Sequence, residues 1–165
     1  MILATLENLN TICLQIIESA YTVNNDAGDY FSFLYTTGSR PSDALRQNYP
    51  VTISNEITVL QPSKKNNTRT IQTSIIPLSL YYFYIGSHSN YGRRKYRTFL
   101  RIAQRFVGGN NYKVSSRNLD LYIFRYRYVR QLFADGMTIE QIQVHMGWRS
   151  INQAYNYINR PIQIN

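Results

Sequence analysis

Two short stretches near the C-terminus restrict this chain's geometry more than any average property does. In MTIEQI, Thr138 and Gln141 stand at the spacing of a capping box, with Met137 and Ile142 placed as a hydrophobic staple across the same helix start. In SINQ, Ser150 and Gln153 repeat the box. Side chains at such positions satisfy backbone N–H groups that the first turn of a helix leaves without partners, so a helix is expected to begin at each. Gly136 stands at a C′ position, where a left-handed residue closes a preceding helix read from Asn118 to Ala134. The C-terminal part is therefore expected to be a run of helices joined by tight turns.

The N-terminal part carries helical spacing as well. Leu6, Leu9, Cys13, Ile16 and Ile17 recur on one face, which predicts an amphipathic helix ending near Ser19. A second apolar segment, YFSFLYTT, leads to Gly38. In SRPSDAL, Ser39 is suited to an N-cap, Pro41 to the first turn and Asp43 to the positive helix end, so a helix is expected from about Arg40. From Val51 to Thr73 the pattern changes to β-branched runs separated by Asn and by SKKNN, as in a small antiparallel sheet with an exposed hairpin tip. Helices are expected to return from Pro77. RRKYRTFLRIAQRF offers Tyr96, Leu100 and Ala103, or Phe99 and Phe106, for packing, with arginines on the remainder. The fold class expected is mostly α with a small antiparallel β-sheet, that is α+β, as one domain over residues 1–165.

Charge narrows the partner. The formal net charge is +9, and acidic residues are absent from Ile57 to Leu119 while eleven lysines and arginines fall in that span. Such an imbalance suits a polyanion, most simply double-stranded DNA. The helix beginning at Arg93, Arg94, Lys95 and Arg97 and the hairpin with Lys65 and Arg69 are the candidate phosphate contacts. Cys13 is the single cysteine and has no disulfide partner, which fits a reducing, intracellular setting and a buried thiol. Two histidines and one cysteine do not compose a metal-ligand cluster, so no metal and no cofactor are implied. Glu7, Asn8 and Asn10 interrupt the apolar N-terminus, so neither a secretion signal nor a membrane span is expected. Nothing points to a small-molecule substrate.

Chemistry enters with three segments taken together. FLYTTGSRPSDAL places Arg40 in a Thr-Gly-x-Arg turn with Asp43 following. YIFRYRYVRQLFADG places Arg125 on an apolar-aromatic helix ahead of Gly136, and MTIEQIQVHMGWRSINQAYNY places Trp148 nine residues before Tyr157. In order and spacing these resemble the two arginine boxes, the Gly-His or Gly-Trp step and the nucleophile of the tyrosine recombinases, the phage-integrase family. The resemblance spans roughly residues 1 to 160 and covers that family's catalytic domain. It implies a DNA breaking-rejoining fold, with the N-terminal clamp domain of the family absent and copies able to assemble on DNA. It also implies that SKKNNTR is the family's lysine hairpin, with Lys64 as the catalytic lysine and Lys65 as the alternative.

The residue types suit that reaction. Phosphodiester cleavage without a metal requires fixed cations around the non-bridging oxygens, because the transition state carries more negative charge than the ground state. Arg40 and Arg125 suit this, since a guanidinium fork binds phosphate bidentately and stays charged. Trp148 adds an indole N–H donor, and a well-aimed donor contributes about 3 to 4 kcal/mol to the rate. A phenol is mostly protonated at neutral pH, so Tyr157 requires a base or a positive field as it attacks, while Lys64 can protonate the leaving 5′ oxygen. Tyr155 and Tyr157 point about 200° apart on a helix, so only one can face the site. The family spacing selects Tyr157. The departure is Tyr122, which takes the place of the family's histidine; it can donate a hydrogen bond to the same phosphate but is a poor base.

Site-specific DNA cleavage and rejoining through a 3′-phosphotyrosyl link is the expected function. A type IB topoisomerase or telomere resolvase would use the same groups. A DNA-binding protein that has kept the fold without the chemistry is the third option, motivated by Tyr122.

Overall fold

The computed structural model describes residues 2–45, 56–61, 67–72, 91–104 and 121–164. In chain order these form β1 (Ile2–Leu3), α1 (Leu6–Val23), α2 (Asn25–Thr37), α3 (Pro41–Leu45), β2 (Glu56–Gln61) and β3 (Asn67–Gln72). There follow α4 (Arg93–Gln104), α5 (Ile123–Ala134), α6 (Ile139–Met146), α7 (Ile151–Asn159) and β4 (Gln163–Ile164).

Local chemistry accounts for most helix ends. Thr5 and Asn8 form a reciprocal capping box that starts α1, each side-chain oxygen accepting from the other residue's backbone N–H at 3.1 Å. The helix runs to Val23 instead of stopping near Ser19, because its stop signal is Asn24. That residue has an extended backbone, and its side chain accepts from Ala27 N at 3.1 Å to start α2. Gly38 ends α2 in the left-handed conformation with φ 65°. The Thr138–Gln141 box starts α6 as expected, and Gly147 ends it with φ 69°. Ser150 starts α7 by accepting from Asn152 N at 3.2 Å, in place of the expected exchange with Gln153.

Helical periodicity then builds the interior. Leu9, Ile12, Cys13, Ile16 and Ala20 of α1 face Tyr30, Phe31, Phe33 and Leu34 of α2, and Tyr96, Phe99, Leu100 and Ala103 of α4 with Phe124 of α5 complete one buried cluster. A second cluster joins Tyr128 and Val129 of α5 to Ile142 and Met146 of α6, Trp148 of the following turn and Ala154 of α7. Tyr157 packs against both clusters and so sits at their junction.

The α+β expectation is corrected. Among the described residues, all those buried in either cluster except Ile162, which precedes β4, come from a helix or from the turn beside one, so the described core is helical. Among the described residues the strands are two separate two-stranded ladders, β1 with β4 and β2 with β3. A fold class is set by the layers that enclose the core, and a two-stranded ladder is too small to supply one. Within the β-branched run from Val51 to Thr73, Glu56–Gln61 and Asn67–Gln72 are extended, yet propensity does not specify a layer. The β1–β4 ladder has a local purpose, tying the segment after α7 to the chain's beginning through Ile2–Ile164 and Leu3–Gln163 pairs. Ile162, beside it, is buried in the first cluster. The helix expected from Pro77 falls outside the described residues, as does Asn118, and the helix expected from Asn118 begins instead at Ile123, with Tyr122 in the turn before it. Among the described residues no helix is long and apolar enough to cross a membrane.

Candidate active site

Arg125 is the organising side chain. It projects from the buried face of α5, is 1% exposed, and is the largest fully buried side chain among the described residues. Its Nη1 donates to Gly38 O at 2.6 Å, and its Nε donates to Tyr157 Oη at 3.2 Å. The guanidinium carbon lies 5.3 Å from the Trp148 ring centre and 5.5 Å from that of Tyr157. A guanidinium buried this deeply needs polar partners or aromatic faces to offset its lost hydration, and here it has both.

The turn after α2 delivers the other arginine. Gly38 takes its left-handed conformation, and a Cβ there would lie 2.3 Å from the Tyr128 ring, so the turn admits only glycine without a rearrangement. Ser39 N donates to Thr37 Oγ1 at 3.2 Å, and Tyr30 Oη donates to Pro41 O at 2.8 Å, fixing the chain on either side of Arg40. Arg40 is buried and paired with the buried Asp43 at 3.5 Å. Gly38 O, bound by Arg125, is two residues upstream of Arg40, so the two arginine boxes meet at this turn.

On the other side, Trp148 follows the Gly147 turn. Its backbone N–H donates to Gln143 O at 3.0 Å, and its carbonyl accepts from Gln143 Nε2 at 3.3 Å. The indole stacks on Tyr157 with centroids 5.0 Å apart and planes 19° from parallel. Trp148 is 5% exposed, and its Nε1 has no hydrogen-bond partner among the described residues. A buried donor left in that state is costly unless something else occupies it. Tyr157 is half-buried, whereas Tyr155, two residues earlier, is 47% exposed. The two tyrosines of the final helix thus divide as the 200° argument requires. Beside Tyr157 opens a recess of about 570 Å³ lined also by Tyr126, Asn156, Asn159 and Arg160.

The structure therefore gathers Arg125, Trp148 and Tyr157 into one contact group, with the Arg40 turn bonded to it through Gly38. Tyr122 stands apart in its contacts: it precedes α5, packs against the first core cluster, and has the Arg93 guanidinium 5.9 Å from its ring centre. On α4, Arg94 and Lys95 are exposed while Arg93 and Arg97 are half-buried, and Lys95 Nζ lies 5.3 Å from the Phe99 ring centre. Lys64 and Lys65 lie outside the described residues, and so does the side chain of Arg69.

Two arginines of α5 escaped the sequence reasoning. Arg127 is 7% exposed and donates to Tyr35 O at 3.0 Å and to Asn10 Oδ1 at 3.3 Å, with its guanidinium 3.6 Å from the Tyr35 ring centre. It joins α1, α2 and α5, and burial pushes its pKa below the ordinary arginine range, against a smaller opposing effect of Tyr35. Arg130 donates from Nε to Tyr157 O at 3.0 Å. The signal was present in RYRYVR: residues two apart cannot face one site, so Arg125 and Arg127 had to serve different surroundings. His145 is half-buried, and its Nε2 lies 2.8 Å from Tyr128 Oη, the tyrosine whose ring abuts Gly38.

No protein-family model and no curated protein matches this chain.

Proposed function

We propose that this protein is a tyrosine recombinase-like DNA strand transferase that cleaves and rejoins a phosphodiester through a 3′-phosphotyrosyl intermediate. The observation that carries the reading is the contact group at Tyr157: its hydroxyl accepts from Arg125 Nε, and Trp148 stacks on its ring with an indole N–H that has no partner among the described residues. A phosphate placed over this group would receive the indole N–H and guanidinium charge while lying against the phenolic oxygen. Arg40 extends the cationic wall from the adjoining turn.

In the reaction proposed, the Tyr157 oxygen bonds to phosphorus as the phenol gives up its proton to water, and the bond from phosphorus to the 5′ oxygen breaks. The leaving oxygen takes a proton, for which Lys64 is the proposed donor. The 5′-hydroxyl of another strand reverses these steps, so rejoining consumes no nucleotide. No cofactor or metal is assigned a role. Double-stranded DNA is the proposed substrate, with Arg94 and Lys95 on the exposed side of α4 as phosphate contacts.

Incubation with a nicked duplex in the presence of a chelator tests the reading. The wild type is expected to yield a protein–DNA species that survives denaturation, and Tyr157→Phe none while still binding DNA. Absence of that species from the wild type, with DNA bound, would favour the second reading, a DNA-binding protein without the chemistry. The association of Tyr122 with Arg93 is the observation on its side.

A further inference from the structure

The C-terminal end of α7 is held by a cluster of side chains that the proposed chemistry does not use. The last carbonyls of any helix lack intrahelical partners and carry the negative end of its dipole. Here Arg130, reaching across from α5, donates from Nε to Tyr157 O at 3.0 Å and from Nη2 to Arg160 O. One guanidinium fork thus meets two carbonyls of the same helix end with charge-assisted bonds. Tyr126 lies beside it, with the guanidinium carbons of Arg130 and Arg160 at 5.8 and 5.7 Å from its ring centre. Arg160 Nη1 donates to Tyr126 Oη at 3.0 Å, and the Tyr126 ring is 4.5 Å from that of Tyr157. Tyr157 is therefore gripped twice on this side, by its carbonyl and by its ring.

The geometry points to Arg130 as a positioning residue that, with Tyr126 and Arg160, sets the height and rotation of α7 so that the Tyr157 hydroxyl meets Arg125. Its effect on catalysis rests on the phosphotyrosyl reading; its effect on the placement of Tyr157 does not. Trp148 and Arg125 meet the ring and hydroxyl of Tyr157 from one side and the β1–β4 ladder ties the segment beyond α7, while Arg130 meets the backbone carbonyls of the last turn. A hydroxyl nucleophile displaced by about 1 Å loses about a hundredfold in rate, so even a modest release of that turn should be visible.

Trp148 is the sole tryptophan, so its emission reports its stacking on Tyr157 without any DNA present. In Arg130→Met the emission is expected to change, adduct formation on nicked duplex to slow by about ten- to a hundredfold, and affinity for the same duplex to hold within about twofold. Arg130→Lys keeps the charge but cannot span two carbonyls, so it should recover only part of the rate. A folded Arg130→Met with wild-type emission and wild-type adduct rate overturns the clamp. If the Met variant does not fold, the same two readouts on Arg130→Lys decide. A wild type that forms no adduct removes the phosphotyrosyl reading, and emission alone then decides the clamp.

Discussion

Tyr157 acquires its distinction from its neighbours, since the chain contains fifteen tyrosines and many of them serve only packing. Two-residue spacing on a helix was enough to separate Tyr155 from Tyr157, and the structure puts the first in solvent and the second against Arg125 and Trp148. Arg125 was legible for a related reason, because a guanidinium amid apolar and aromatic residues needs a purpose. Arg127 and Arg130 were not, since only the packing of α1, α2 and α7 around α5 reveals where each side chain ends. Trp148→Phe deletes the N–H together with part of the buried ring, so adduct formation is expected to fall by about a hundredfold, with a lower melting temperature from the cavity left in the second cluster. A rate equal to wild type would show that the indole N–H meets no phosphate. Cys13 provides a separate test at this scale. Burial pushes its thiol up to about 12 from 9.0, with Arg127 opposing more weakly. The folded value lies above the unfolded one, so the stabilisation is fully present below about pH 9 and is lost as pH rises towards 12. The stability advantage of wild type over Cys13→Ala in urea unfolding should therefore shrink across that alkaline range. An advantage independent of pH would contradict the burial of the thiol.

At the level of elements, what could be read depended on whether the determinant was local. Caps are local: the Thr138–Gln141 box and the Ser150 start both occupy the predicted places, and Gly136 follows the end of α5 with a positive φ. The end of α1 was set four residues late because Asn24, which serves two helices at once, outweighs the fading of the apolar stripe after Ile17. The sheet was misread for a different reason, in that strand propensity speaks for extended backbone while only third-strand pairing or face burial would make a layer. Gly38 joins this scale to the site, as its left-handed φ ends α2, its carbonyl binds Arg125 and its missing side chain admits Tyr128. Gly38→Ala is expected to destabilise the protein by about 1 to 3 kcal/mol, measured by urea unfolding, and to lower adduct formation in the fraction that remains folded. A variant as stable and as active as wild type would mean that the turn tolerates a Cβ, contrary to this packing.

At the scale of the described molecule, two buried clusters meet at Tyr157, and the Arg40 turn and the Arg125 helix are brought together by the packing of α2 on α5. The net charge of +9 suits the polyanionic partner proposed. If about six phosphates are neutralised, the logarithm of the DNA association constant should fall against the logarithm of salt concentration with a slope of about −5, and Arg94→Ala should flatten it by about one unit. A slope near zero would take DNA out of the account. The central claim is that one oxygen, Tyr157 Oη, becomes bonded to DNA, and the most direct measurement is to trap the covalent complex on a suicide duplex, digest it and locate the modified peptide by mass spectrometry. The account predicts a 3′-phosphotyrosyl adduct on Tyr157 alone. An adduct on Tyr155 or any other residue, or DNA that is bound and never attached, would contradict it.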